Sequence, residues 1–235
     1  EAVGAWTLQE GYRLFEKAIH EKYPEIKLIG SAGPDIISDH YRDAWSFYRQ
    51  EGAENENFCY AVDEHYYVKP EWFYDHVDFY DEYRRDVKVF SGEYAAHPEN
   101  GMNNPAANTL KGALSEAAFL TGVERNADVV ILASYAPLFA RLGYAQWSPD
   151  LIWFDENGTY PTASYYVQKM YGENMGTVTI PMEGQEKALA GEAVYVNVTL
   201  DEKTREYIVK AVNAGDTDKS LEITDSGEKA VCGRG

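Results

Sequence analysis

The 235-residue chain is poor in positive charge, in cysteine and in long apolar runs, and each shortage removes a class of function. It carries 21 Lys and Arg against 39 Asp and Glu, a formal net charge of −18. A surface of that sign repels phosphate backbones and anionic headgroups, so neither nucleic acid nor a membrane is expected as a partner. Two cysteines occur, Cys59 in an apolar stretch and Cys232 in a polar tail. That is too few for a disulfide framework or a zinc site. No apolar run approaches the roughly 18 residues that span a bilayer, and the first residues show no basic segment leading into an apolar one. A start at Glu1 and an end at Cys232-Gly-Arg-Gly235 read as a piece of a longer protein.

What the chain does contain is apolar and aromatic. Hydrophobic residues make up 45% and aromatics 14%, with 19 Tyr and 5 Trp, which excludes a solvated, disordered tail. Tyrosine offers a flat apolar face with a hydrogen-bonding tip, suited to sugar rings and to ordinary packing alike.

The first 150 residues alternate between two periodicities. Leu8, Tyr12, Phe15, Ile19 and Tyr23 fall at steps of three and four, predicting a helix over Leu8–Tyr23 that Pro24 stops. Ile26–Gly30 reads as a strand, Ser38–Gln50 as a helix, Phe58–Val62 as a strand closed by Asp63-Glu-His-Tyr-Tyr67, and Glu71–Arg85 as a helix. Val87–Phe90 is a further strand, expected to end at Gly92 with Glu93 at its mouth. Thr109–Thr121 then reads as a helix and Ala127–Ala133 as a strand apolar enough to be covered on both faces. Such alternation predicts parallel βα units.

From Leu151 the rhythm shortens. Leu151–Phe154, Tyr165–Met170, Thr177–Ile180, Ala193–Leu200, Glu206–Val212 and Ser220–Ile223 are strand candidates between turn residues. Val194, Val196 and Val198 alternate with Tyr195, Asn197 and Thr199, the period of two of a half-exposed strand. The expectation is an all-β sandwich over 151–235, packed against an α/β unit over 1–150.

Three strand ends in succession deliver polar groups: Asp63-Glu-His-Tyr-Tyr67, Gly92-Glu-Tyr94 and Ser134-Tyr-Ala-Pro137. Loops and strand ends at one mouth of a parallel sheet are where catalytic groups collect. Glycosidic bonds need two carboxyl groups, one to protonate the leaving oxygen and one to attack or support the anomeric carbon. A tyrosine hydroxyl beside the attacking carboxylate would orient it. Adjacent Asp63 and Glu64 point to opposite faces of a strand, which argues against a metal site. Asn157-Gly-Thr and Asn197-Val-Thr fit the glycosylation pattern, a frequent chance match.

Asp63-Glu-His-Tyr-Tyr67, Phe90-Ser-Gly-Glu-Tyr-Ala95, Ala113–Val130, Ala133-Ser-Tyr-Ala-Pro-Leu-Phe139 and Pro149-Asp-Leu-Ile-Trp-Phe154 resemble the α-L-arabinofuranosidases of glycoside hydrolase family 51. The resemblance implies a (β/α)8 TIM barrel, of which the strands here would be about five to eight, followed by the β-sandwich. Such a half barrel, with open edges, is expected to be unstable and inactive by itself. The resemblance also implies a retaining mechanism without cofactor or metal. Glu93 would be the nucleophile, and His65 and Tyr67 would bind substrate, with Tyr66 replacing Tyr67 if the register slips by one. Glu1 would be the acid/base, Glu10 being the other nearby carboxylate. Trp147 is a candidate subsite residue and Trp153 a packing one. The implied partners are arabinofuranosyl-bearing oligosaccharides or polysaccharides, and assembly into a homo-oligomer is compatible with them. A secreted or periplasmic location is preferred to a cytoplasmic one.

Overall fold

The computed structural model describes residues 7–98, 105–182 and 186–224. Helix α1 (Leu8–His20) begins with a capping box, in which the Thr7 hydroxyl accepts from the Glu10 N–H and the Glu10 side chain reaches back to the Thr7 N–H. It leads to β1 (Ile29–Ser31), α2 (Asp39–Glu54), β2 (Ala61–Val68), α3 (Pro70–Asp75), β3 (Lys88–Ala96), α4 (Leu110–Arg125) and β4 (Val130–Tyr135). The four strands form one parallel sheet in the order β1-β2-β3-β4. Sequential parallel pairing with helical crossovers is what the alternating pattern predicts.

The sheet has two unlike faces. Its back face, toward the helices, holds Val62, Glu64, Tyr66, Ser91 and Tyr94, all fully buried. Phe73, Tyr80 and Phe119 pack there beside Tyr66, each contributing about 1.5–3 kcal/mol by leaving water. The front face is more open, and Ile29 and Leu132 on it are 41% and 51% exposed.

Two strands are longer than the sequence reading placed them. β2 takes in Asp63–Tyr67 instead of ending before them, and β3 runs through Gly92 and Glu93, so Glu93 lies within a strand and not at its end. Read singly, Asp, Glu and Gly are poor strand formers. Here the ladder on both sides holds them extended. The helix expected over Glu71–Arg85 stops at Asp75. Beyond it Phe79, Tyr80 and Tyr83 fold onto the back face, and the Val77 carbonyl sits where a Cβ on Gly122 would be, 1.8 Å from that position. Close approach of this turn to α4 thus depends on glycine.

The C-terminal part is β-rich but not all-β. Strand β5 (Phe139–Arg141) pairs with β6 (Ile152–Phe154), which pairs with β7 (Thr159–Pro161), so this small sheet joins residues on both sides of position 150. Helix α5 (Ala163–Glu173) follows, where the sequence reading put a strand over Tyr165–Met170. Thr162 caps it by accepting from the Tyr165 N–H at 3.3 Å. Ser164, Val167, Gln168 and Tyr171 recur at helical spacing, and Tyr171 donates to the Ala117 carbonyl of α4 at 2.8 Å. After β8 (Val178–Ile180) and α6 (Glu186–Ala190), strands β9 (Val194–Asp201) and β10 (Glu206–Asn213) complete an antiparallel sheet in the order β10-β9-β8. Ser220–Ile223 is not a strand. Asn197 of β9 and Lys210 of β10 both bond Glu124 of α4, which fastens this sheet to the helix layer.

Candidate active site

The site is built on a one-residue irregularity. Glu64 pairs with Ser91, but the next residue, His65, pairs with Glu93, so Gly92 is an extra residue on β3. Paired residues of a parallel ladder point the same way, and successive residues alternate. Without the bulge, Glu93 would pair with Tyr66 and face the buried back layer. With it, Glu93 shares the front face with Asp63, His65 and Tyr67.

These side chains meet. The Tyr67 hydroxyl donates to Glu93 Oε2 at 2.5 Å, and His65 Nδ1 lies 3.4 Å from the same oxygen. The other ring nitrogen, Nε2, is 3.0 Å from Asp63 Oδ2. Glu93 is 43% exposed against 14% for His65, so its carboxylate reaches solvent while its neighbours are half-buried. Burial lowers the pKa of His65, but the hydrogen bond and charge of Asp63, with the charge of Glu93, outweigh it and the net direction is upward. Burial and the Glu93 carboxylate push the Tyr67 pKa well up, keeping the phenol a donor. Ser134 of β4 donates to the Gly92 carbonyl at 2.5 Å, tying the bulge from the other side.

Trp147 is 40% exposed and packs beside Tyr67, its ring centroid 5.8 Å from that of Tyr67 and 5.9 Å from that of His97. Trp153 is 4% exposed and donates to Asn108 at 2.8 Å, a packing position. A cavity of about 580 Å³ adjoins Tyr67 and His97 and extends to Trp72 and His76, whose rings stack 4.1 Å apart; Glu93 does not line it.

The structure therefore brings His65, Tyr67, Glu93 and Trp147 together. Glu1 lies outside the described residues, as does Cys232. Tyr66, the alternative to Tyr67, faces the back and bonds Glu64. Glu10 caps α1. Sequence reasoning missed His97 and the role of Asp63 in the group. The signal for Asp63 was available, because positions 63, 65 and 67 share one face of a strand. Among the described residues no cluster of His, Cys, Asp and Glu is arranged to hold a metal.

A family model described as the α-L-arabinofuranosidase C-terminal domain matches residues 92–230, more than half of the chain, and an α-L-arabinofuranosidase 1 domain matches residues 2–85. The chain belongs to the α-L-arabinofuranosidase family. It is 44% identical over 171 residues to an extracellular exo-α-L-arabinofuranosidase of Streptomyces chartreusis, covering 72% of this chain and 19% of that protein. It is 30% identical over 231 residues to α-L-arabinofuranosidase 1 of Arabidopsis thaliana, covering 97% of this chain and 30% of that one. The arabinose-bound solved structure of MgGH51 α-L-arabinofuranosidase superposes with a TM-score of 0.71 at 27% identity, over 90% of this chain and 32% of that one. The chain thus spans between about a fifth and a third of the length of these relatives. In this family member Glu93 falls in the first matched region, and His65 and Tyr67 fall in the second.

Proposed function

We propose that the front face of β2 and β3 is the nucleophile half of a retaining α-L-arabinofuranosidase site, which releases terminal α-L-arabinofuranosyl groups from hemicellulose or pectin side chains. The observation that carries this reading is the convergence of Tyr67 and His65 on one oxygen of a half-exposed carboxylate. Both contacts go to Oε2, which leaves Oε1 of Glu93 to attack the anomeric carbon. A glycosyl-enzyme ester forms, the leaving sugar oxygen takes a proton from a second carboxyl group, and that group then draws a proton from the water that cleaves the ester. Retention requires the two carboxyl groups about 5 Å apart, and Glu1 is the candidate for the second. Trp147 offers an apolar face against the sugar ring.

In the same reading the parallel sheet supplies strands five to eight of a (β/α)8 barrel, with residues up to 150 assigned to it and the later β structure to a sandwich domain. The half-open front face, with Ile29 and Leu132 exposed, is a surface that four further strands would cover. The test is Glu93→Ala in the full-length enzyme. Release of nitrophenol from an aryl α-L-arabinofuranoside should be lost and partly restored by azide, which replaces the missing nucleophile. Turnover like that of the wild type would overturn the assignment.

A further inference from the structure

We propose that Asp63 is a positioning residue for Glu93, acting through His65: its carboxylate holds the imidazole so that a protonated Nδ1 faces Glu93. This inference deepens the hydrolase reading and rests on it for its kinetic consequence only. The ring has a carboxylate oxygen at each nitrogen, Asp63 Oδ2 at 3.0 Å from Nε2 and Glu93 Oε2 at 3.4 Å from Nδ1. A neutral imidazole carries a single N–H and would turn a lone pair toward one of those oxygens, whereas the imidazolium donates to both.

The charge of Asp63 also bears on the Tyr48 and Tyr67 hydroxyls, but its hydrogen bond goes to His65. His65 is the one described hydrogen-bonding partner of the Asp63 side chain, and Oδ1 is buried without a partner among the described residues. The carboxylate nevertheless occupies a place that the sequence keeps free. A Cβ on Gly92 would lie 1.9 Å from Asp63 Oδ1. The residue that bulges to turn Glu93 forward is therefore also the residue whose missing side chain admits Asp63. The charged groups that face the ring are Asp63 from its own strand and Glu93 from β3, and β1, on the other side of β2, supplies Ile29, Gly30 and Ser31, none of them titratable. Tyr67 stands edge-on at 6.4 Å and directs its hydroxyl to Glu93.

Two measurements test the proposal. Imidazole 15N NMR of the wild-type protein should show His65 holding its second proton above the ordinary histidine value of about 6.5, and in Asp63→Asn the transition should move down by about one pH unit or more. In parallel, kcat on the aryl arabinofuranoside should fall by about 10- to 100-fold in Asp63→Asn, the range found when the carboxylate orienting a metal-ligating histidine is removed, and the alkaline limb of kcat/KM should move to lower pH. An uncharged His65 in the wild type, a His65 titration unmoved by Asp63→Asn, or a pH profile merely scaled down would each overturn the inference. The NMR of the wild type decides even if the variant does not fold. It also decides if the protein releases no arabinose, an outcome that would sink the hydrolase reading and leave the Asp63–His65 pairing judged separately.

Discussion

His65 stands opposite Glu93 on the β2–β3 ladder, one residue later on β3 than the Glu64–Ser91 pairing below it calls for. The glycine that absorbs the difference has two jobs, to bulge and to leave room for the Asp63 carboxylate. Gly92→Ala should therefore damage both stability and activity. The methyl group would displace a side chain and not backbone, so the expected destabilisation is about 1–3 kcal/mol. The loss of Asp63 from His65 should lower kcat by about 10- to 100-fold. Urea unfolding and steady-state kinetics on the same preparation check both. A variant of unchanged activity would mean that Asp63 does not need its present place.

Tyr67→Phe removes one donor on Glu93 and little else, since the ring keeps its contacts with His97 and Trp147. A hydrogen bond to a charged acceptor contributes about 1.5–3 kcal/mol. The expected loss in kcat is accordingly about 10- to 100-fold, with KM for a small aryl arabinofuranoside within about threefold of the wild type. A rise in KM at constant kcat would instead make Tyr67 a ground-state binding residue.

Behind the site, Glu64 is 0% exposed and accepts from Trp45 at 2.7 Å, Tyr41 and Tyr80 at 2.8 Å, Tyr83 at 3.1 Å and also from Tyr66. Burial pushes its pKa up, and the donors of Tyr80, Tyr41, Trp45 and Tyr83 pull against that. One carboxylate thereby joins β2, α2 and the turn after α3. Glu64→Ala would leave these donors facing a void, at a cost of about 3–5 kcal/mol. Glu64→Gln keeps the shape but turns an N–H2 toward donors, at a cost of about 1–3 kcal/mol. Guanidinium unfolding midpoints should rank wild type above Gln above Ala. A Gln variant as stable as the wild type would show that the donors do not act on a charge.

The parts legible in the sequence were those where pattern and packing agree. Helices α2 and α4 carry apolar residues at steps of three and four behind Ser and Thr caps, and β9 alternates Val194, Val196 and Val198 with other residues at the period of a strand. Local preference misled where tertiary contacts overrule it. Tyr165, Tyr166 and Val167 favour a strand, yet the spacing of Ser164, Val167, Gln168 and Tyr171 is that of a helix packed on α4. At the site, motif likeness placed Glu93, His65 and Tyr67 near one another, but no local rule announces that Gly92 is an extra residue. An unbulged ladder would have put Glu93 with Tyr66 on the back face. His97 was missed because it follows β3 and meets Tyr67 and Trp147 through folding alone.

Glu116 on α4 gives a pH dependence that one substitution can isolate. It is 1% exposed, its Oε1 accepts from the Ala96 N–H at 2.8 Å, and its Oε2 has no partner among the described residues. Burial pushes its pKa up to about 7, against the opposing bonds from Ser164 and the Ala96 N–H, while in the unfolded chain it titrates near 4.5. Between those values the folded protein holds the proton more firmly than the unfolded one. Its contribution to stability is therefore intact below about pH 4.5 and lost as pH rises toward 7, by up to about 3 kcal/mol in total. Glu116→Gln mimics the protonated form and escapes this loss. The variant should match the wild type near pH 4.5 and exceed it by about 1–3 kcal/mol at pH 8. Because Asp150, also raised by burial to about 6, titrates in both proteins, the difference between their denaturation curves isolates Glu116. A difference equal at the two pH values would mean that the fold does not raise this carboxyl pKa, the bonds from Ser164 and the Ala96 N–H offsetting burial.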